Sequence, residues 1–349
     1  MKAWVYKKTG EPKDILQLEQ NWPKPEPKSK GQVLVKVHAA SLNPVGWKAM
    51  SLIPIKWMQK TPSVPEHDFA GVVEGGELEG TGLKVGDSVF GIVPAESVMK
   101  TGRGVLAEYT LVEKDLVVKK PDNVSYEEAS SFPLTTLTSY WVLVTKGGMT
   151  KAGGQRIFIN GGSGGVGAYA VQLAKAYGAY VVTTCSPESK SLVESLGADE
   201  IIDYKSTDLV KELASRFSVK EKPFDIIYDT VGYDARLYNE SAKYLSFNGV
   251  FIDIAGPPFQ HTLTSLISAV GTFASRLALP AFLGGVPRKY VFGMFKPGEG
   301  QLREIGEFVA EGKLKPIVDE VFPFEEALSA YERQKSGRAK GKVVVSVVG

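Results

Sequence analysis

Cysteine is almost missing from this chain. Its 349 residues hold one, Cys185, and three histidines. An internal disulfide framework and a multi-cysteine zinc site are thereby excluded. Neither charge sign is in excess. Forty-one basic residues face 39 acidic ones, a formal charge of +2, which gives no reason to expect a nucleic-acid partner. The N-terminal stretch MKAWVYKKTGEP has no apolar signal core and is not an Arg-rich amphipathic presequence. A cytoplasmic, reduced compartment is the expectation. What is present is ordinary for a globular protein: 43% hydrophobic and 23% charged residues, in a length that allows two domains with a core in each.

The first third reads as strands and turns. Ala3 to Tyr6 form a strand closed by a Thr9-Gly10 turn. Val33, Val35 and Val37 alternate with polar or long residues, and further short apolar runs follow between Gly, Pro and Asp. Such spacing predicts a β-rich barrel. The texture changes at Ser125, which stands three residues before Glu128. That is a capping box, so a helix begins there. Strands and helices then alternate. The strands are Arg156 to Asn160, Tyr180 to Cys185, and the runs EIID, DIIYD, GVFIDIA and KYVFGMF. This pattern predicts a parallel sheet with helices on both faces. Two amphipathic helices and the strand KVVVSVV close the chain, and that strand is expected to return to the first domain. The predicted domains are 1–125 with 301–349, and 126–300.

The sharpest motif is Gly162-Ser163-Gly164-Gly165-Val166-Gly167. It fits GxGxxG, and it stands between a predicted strand and a predicted helix, the context that a dinucleotide site requires. Gly162 takes the tight turn, Gly164 lets backbone approach a pyrophosphate, and Gly167 lets the helix pack on the strand. The helix N-terminus supplies free N–H groups to the phosphates. A glycine-rich structural turn is the blander alternative. The next strand ends Thr183-Thr184-Cys185-Ser186 without an acid to hold a ribose 2′-hydroxyl. Ser186 and Lys190 suit a 2′-phosphate instead, which favours NADPH over NADH. Glu188 stands close by and opposes that preference.

With these residues the chain resembles the medium-chain dehydrogenases/reductases, in their zinc-free quinone oxidoreductase branch. The resemblance runs through nearly the whole length. It rests on Ser41-Leu42-Asn43-Pro44-Val45, on Pro65-Glu66-His67-Asp68-Phe69-Ala70-Gly71, similar to "PGxDFAG", and on Val85-Gly86-Asp87-Ser88-Val89. Asn160 to Gly167, Leu196-Gly197-Ala198-Asp199 with Tyr204, Asp229-Thr230-Val231-Gly232 and Gly341-Lys342-Val343-Val344 follow in family order. The resemblance implies an α/β fold: a Rossmann doubly wound parallel sheet plus a GroES-like β-rich catalytic domain, with the cofactor in the cleft. It implies that Ser163 to Val166 meet the pyrophosphate. Ser186, Lys190 and Tyr204 would surround the adenosine 2′-phosphate and adenine. Asn43, Thr138, Val231 and Ala255 would lie near the nicotinamide half, and Lys342 joins the implied cofactor-binding residues. A homodimer is also implied.

Zinc-dependent relatives use a Cys, a His and a second Cys or acid. Their Cys falls at Asn43 and their His at His67, and a lone His67 does not make a three-ligand site. The expected activity is therefore NADPH-dependent hydride transfer to a quinone or an α,β-unsaturated carbonyl, with the cofactor carrying the difficult step. Relatives often carry Asp where this chain has Gly46, which weakens a carboxylate proton relay. Asn43 and Lys48 remain as candidate donors, and water is a third. An enoyl thioester reductase and a non-catalytic NADPH-binding interaction protein are the alternatives. Between Asp253 and Glu299 there is no acidic residue. The segment 257–290 is basic and apolar but too interrupted to span a bilayer. It reads as a pocket lid, a dimer surface or a peripheral membrane contact.

Overall fold

The computed structural model describes residues 1–28, 30–52, 59–256, 271–272, 274–276, 279, 281–293, 297–298 and 300–348. The chain divides into two compact units, Met1–Leu137 with Lys296–Gly349, and Thr138–Phe295.

In the first unit the largest sheet, among the described residues, runs Val318–Pro323, Lys342–Ser346, Gln32–Ser41, Asp68–Gly76, Ser88–Ile92 and Val117–Lys119, and Tyr109–Glu113 also pairs with Gln32–Ser41. The alternating valines point inward. Val33, Val35 and Val37 are wholly buried and join a core with Phe69, Val89, Leu106, Val343 and Val345. Each such side chain contributes about 1.5–3 kcal/mol of burial. The closing strand Lys342–Ser346 pairs antiparallel with Gln32–Ser41, so the C-terminus returns to this unit. The capping box is formed: Glu128 N donates to Ser125 Oγ at 3.1 Å, and Ser125 N donates to Glu128 Oε2 at 2.8 Å. The helix it starts, Tyr126–Ser130, packs on the strands Gln32–Ser41 and Asp68–Gly76. That packing keeps residues 126–137 with the first unit, so the division falls after Leu137, whereas the change of texture in the sequence falls at Ser125.

In the second unit the described strands form a parallel sheet in the order Glu200–Asp203, Tyr180–Cys185, Arg156–Asn160, Phe224–Asp229, Leu245–Asp253, Lys289–Phe292. Covered on both faces, the strands are apolar throughout: Ile157, Phe158, Ile159, Ile226, Ile227 and Ile252 are fully buried. Chain order reverses between Arg156–Asn160 and Phe224–Asp229. This is the topological switch point, where open parallel sheets bind ligands beyond their C-terminal strand ends. Helix Gly167–Ala176 packs on the two strands that flank the glycine loop.

Among the described residues no helix is long and apolar enough to cross a membrane. Of the segment 257–290, read as a lid, dimer surface or membrane contact, residues 257–270, 273, 277–278 and 280 lie outside the described residues. Its main described stretch is 281–290, which leads into the strand Lys289–Phe292, with Arg276 before it.

Candidate functional site

The glycine loop leaves the C-terminal end of Arg156–Asn160. Its positive backbone angle belongs to Gly161, at φ 92°, and not to Gly162, which the sequence nominates for the tight turn. Gly162 is required for another reason. A Cβ there would lie 2.2 Å from Thr183 Oγ1. At Gly167 a Cβ would lie 2.1 Å from the carbonyl oxygen of Gly161, so this glycine permits the helix to start against the loop. Gly164 differs. Its nearest neighbour would be Gly161 O at 3.4 Å, and the residue is exposed. One side of the loop is thus packed and the other open, as a backbone cradle for a diphosphate needs. Ser163, Gly165 and Val166 are half-buried along that loop.

The loop is braced from behind. Gly161 N donates to Thr184 Oγ1 at 2.8 Å, Thr184 Oγ1 donates to Asn160 Oδ1 at 2.8 Å, and Asn160 Nδ2 donates to Asp229 Oδ1 at 2.9 Å. Asp229 Oδ1 also accepts the N–H groups of Val231 and Gly232, each at 3.0 Å. Burial raises the Asp229 carboxyl above its ordinary range, and these donors offset part of that rise. Asp253, one strand further, repeats the device: its Oδ1 accepts from Ala255 N and Gly256 N at 2.9 Å. Its Oδ2 accepts from Tyr290 Oη at 3.0 Å and pairs with Arg276 at 3.1 Å. Val231 and Ala255 are therefore set by aspartates at adjacent strand ends in register. Thr138 lies buried in helix Pro133–Tyr140. The pair Asp229 and Asp253 was missed from sequence, although each closes an apolar strand at the same register.

Beyond the second strand, Glu188 links the adenosine candidates. It accepts from the Ser186 hydroxyl and pairs with Lys205 at 3.1 Å, and these bonds hold its carboxyl down at about 2. Lys205 follows Tyr204, which is half-exposed. Lys190 is exposed and lies 3.8 Å from Glu194. Ser186 and Lys205, a lysine the sequence reading passed over, are thus brought together through Glu188, and Tyr204 precedes that lysine in the chain. Asp203 lies beside Cys185 on the neighbouring strand, and its Oδ1 accepts from Lys205 N at 2.9 Å.

The first unit holds a buried polar cluster. Asn43, Glu66, Asp68, Tyr331 and Lys342 are all buried there. Lys342 Nζ donates to Asn43 Oδ1 and pairs with Asp68 Oδ2 at 3.2 Å. Asn43 Nδ2 donates to Asp68 Oδ2 at 2.9 Å and to Ser41 O at 3.3 Å. Asp68 also accepts from Ser41 Oγ at 3.3 Å and from Leu134 N at 2.8 Å. The Asn43 amide is committed at both ends, and the Lys342 ammonium is held by this ion pair. Lys48 stands outside the cluster. It is exposed, with its ammonium 5.9 Å from the Trp47 ring centre. Glu66 was not foreseen. Its Oε1 accepts from Tyr331 Oη at 2.7 Å and its Oε2 from Asn43 N at 3.0 Å. Lys342 sits on Asp68, so among the described residues only neutral donors bond Glu66, and burial pushes its carboxyl up to about 8.

Comparison with known proteins identifies the architecture. Residues 29–122 match the alcohol dehydrogenase GroES-like domain, and residues 196–345 match the zinc-binding dehydrogenase family. A zinc-type alcohol dehydrogenase-like protein of Schizosaccharomyces pombe is 35% identical, over 98% of this chain and 95% of its own. A trans-enoyl reductase of Aspergillus terreus is 34% identical, over 99% and 96%. A mitochondrial NAD(P)H oxidoreductase of Danio rerio is 32% identical, over 100% and 92%. That relative's compartment leaves the cytoplasmic expectation for this chain without support. Among solved structures, a quinone oxidoreductase from Coxiella burnetii superposes with a TM-score of 0.76 at 28% identity, covering 100% of this chain and 99% of that one.

The zinc in one family description does not fit the residues here. Asn43 replaces a thiolate with an amide already engaged, and His67 is buried with Nδ1 3.0 Å from Val93 O. Among the described residues no group of three or more His, Cys, Asp or Glu is placed to hold a metal ion. The glycine cradle, by contrast, fits a nicotinamide dinucleotide. On these grounds the chain belongs to the medium-chain dehydrogenase/reductase superfamily and is a nicotinamide-dependent oxidoreductase.

Proposed function

We propose that this chain is a zinc-independent, NADPH-dependent reductase that delivers hydride to a conjugated carbonyl, an enone or a quinone. The observation that carries the reading is the glycine loop, packed behind Gly162 and Gly167 and open at Gly164. Ser163 to Val166 would hold the diphosphate, and Ser186, Lys190, Tyr204 and Lys205 the adenosine end. NADPH, when bound, supplies the hydride. A conjugated acceptor takes it without a Lewis acid, because negative charge spreads to an oxygen that hydrogen bonds stabilise. The completing proton comes from solvent, since the Asn43 amide is committed and Lys48 lies outside the cluster. The Aspergillus relative, a trans-enoyl reductase, favours a second acceptor class, an enoyl group, for which the sequence reading offers a thioester.

The test is nicotinamide oxidation, followed by absorbance, with a simple quinone, an alkenal and a crotonyl thioester, each with and without EDTA. Turnover of quinone or alkenal that survives EDTA supports the proposal. Thioester preference moves it to the second class, and loss in EDTA overturns it. Cofactor choice has its own test. Lys190→Ala should lower the NADPH-to-NADH ratio of kcat/KM roughly tenfold, the worth of one charge-assisted bond. An unchanged ratio removes Lys190 from the phosphate site.

A further inference from the structure

Gly46 and Glu66 occupy one space. A Cβ built on Gly46 would lie 2.1 Å from Glu66 Oε1, 2.6 Å from its Cδ and 2.8 Å from its Oε2. Glu66 reaches that place from a left-handed backbone, φ 71°, the single non-glycine residue with a positive φ among those described. A glutamate held there is strained, and such strain persists only where surroundings over-determine it. The surroundings do so. Tyr331 comes from 265 positions away and binds Oε1, while Oε2 holds the N–H of Asn43, the residue before helix Pro44–Leu52.

We propose that Glu66 is a positioning residue of the reductase: its carboxyl, standing in the space cleared by Gly46, locks Asn43 and the first turn of the following helix. The inference rests on the reductase reading for its kinetic arm only. The charged and titratable groups facing Glu66 are Asp68, Lys342, Tyr331 and Tyr6. His67 is next in the chain, and burial keeps its imidazole below the ordinary range and hence neutral. Among the described residues one cation thus serves two carboxyl groups, and a second negative charge would lack a partner there. Loss of the Glu66 proton near pH 8 should strengthen its own bonds to Asn43 N and Tyr331 but set a second charge against Asp68, and that repulsion should displace Asn43, which both carboxyl groups hold.

Three measurements decide it. In the wild type kcat/KM should fall above about pH 8, approaching tenfold per pH unit as for a single ionisation, while Glu66→Gln should lack that limb. Tyr331→Phe removes a donor to the ionised form, so it should shift the limb to higher pH. A limb present in Glu66→Gln, or absent from the wild type, overturns the proposal. So does a limb that Tyr331→Phe leaves in place. The stability arm needs no turnover. An unfolded glutamate releases its proton near 4.5 and the folded one near 8. Stability therefore drains from the wild type, relative to Glu66→Gln, as pH rises through that window, and parallel pH curves contradict the proposal. Third, Gly46→Ala should lower Tm in the wild type and cost far less in a Glu66→Gly background. Equal costs overturn the shared-space claim. If no acceptor is turned over, the reductase reading fails, and the two stability measurements still judge Glu66.

Discussion

Lys342→Met should cost about 3–5 kcal/mol of stability, the largest loss expected from one side chain in this protein. Lys342 is 4% exposed and Asp68 not at all. Burial lowers the pKa of the ammonium, and Asp68 works against that shift. Removing the ammonium leaves a carboxylate buried among Ser41, Asn43 and the Leu134 N–H, with no cation beside it. Replacing both charges together, as Asp68→Asn with Lys342→Met, should recover most of the loss, because neither ion is then stranded. Urea denaturation of the two variants measures both numbers. A single variant within 1 kcal/mol of the wild type would show that the pair does not hold the first unit together.

Two glycines of one motif should fail in different ways. Gly167→Ala drives a Cβ to 2.1 Å from the Gly161 carbonyl oxygen, against the loop backbone of Gly161 and Gly162, so the variant should lose stability. Overpacking of this kind typically costs about 1–3 kcal/mol. Gly164→Ala meets nothing closer than 3.4 Å, so its folded stability should be close to that of the wild type. Its added methyl instead stands on the open side, where we propose that the diphosphate approaches the backbone. NADPH affinity should fall at least tenfold, about 1.4 kcal/mol, as measured by quenching or calorimetry. The reverse outcome, a destabilised Gly164→Ala that binds normally, would place the phosphates elsewhere.

The local features were legible because they repeat at short range. The valine alternation of Gln32–Ser41, the Ser125–Glu128 box and the strand–glycine–helix frame from Arg156 to Ala176 are each short and continuous in the chain, and each forms as read. Even there one detail moved. The positive φ falls on Gly161, one residue before the motif, because Gly162 is pinned under Thr183. The buried cluster was not legible. Asn43 reads as an available donor until Lys342, 299 positions away, takes its oxygen. Glu66 reads as a loop acid until Tyr331 closes over it. The absence of a side chain at Gly46 reads as a lost carboxylate, whereas in the fold it is the room into which Glu66 reaches. Long-range partners decide each of these roles, and one sequence does not show them.

The central claim is hydride delivery from a nicotinamide to a conjugated acceptor without metal. It is tested most directly with NADPH carrying deuterium at both C4 positions and an enone, in protein exhaustively treated with EDTA. Mass spectrometry of the product should find the deuterium on the β-carbon of a saturated ketone. Product without the label, or no product until zinc is restored, would contradict the account.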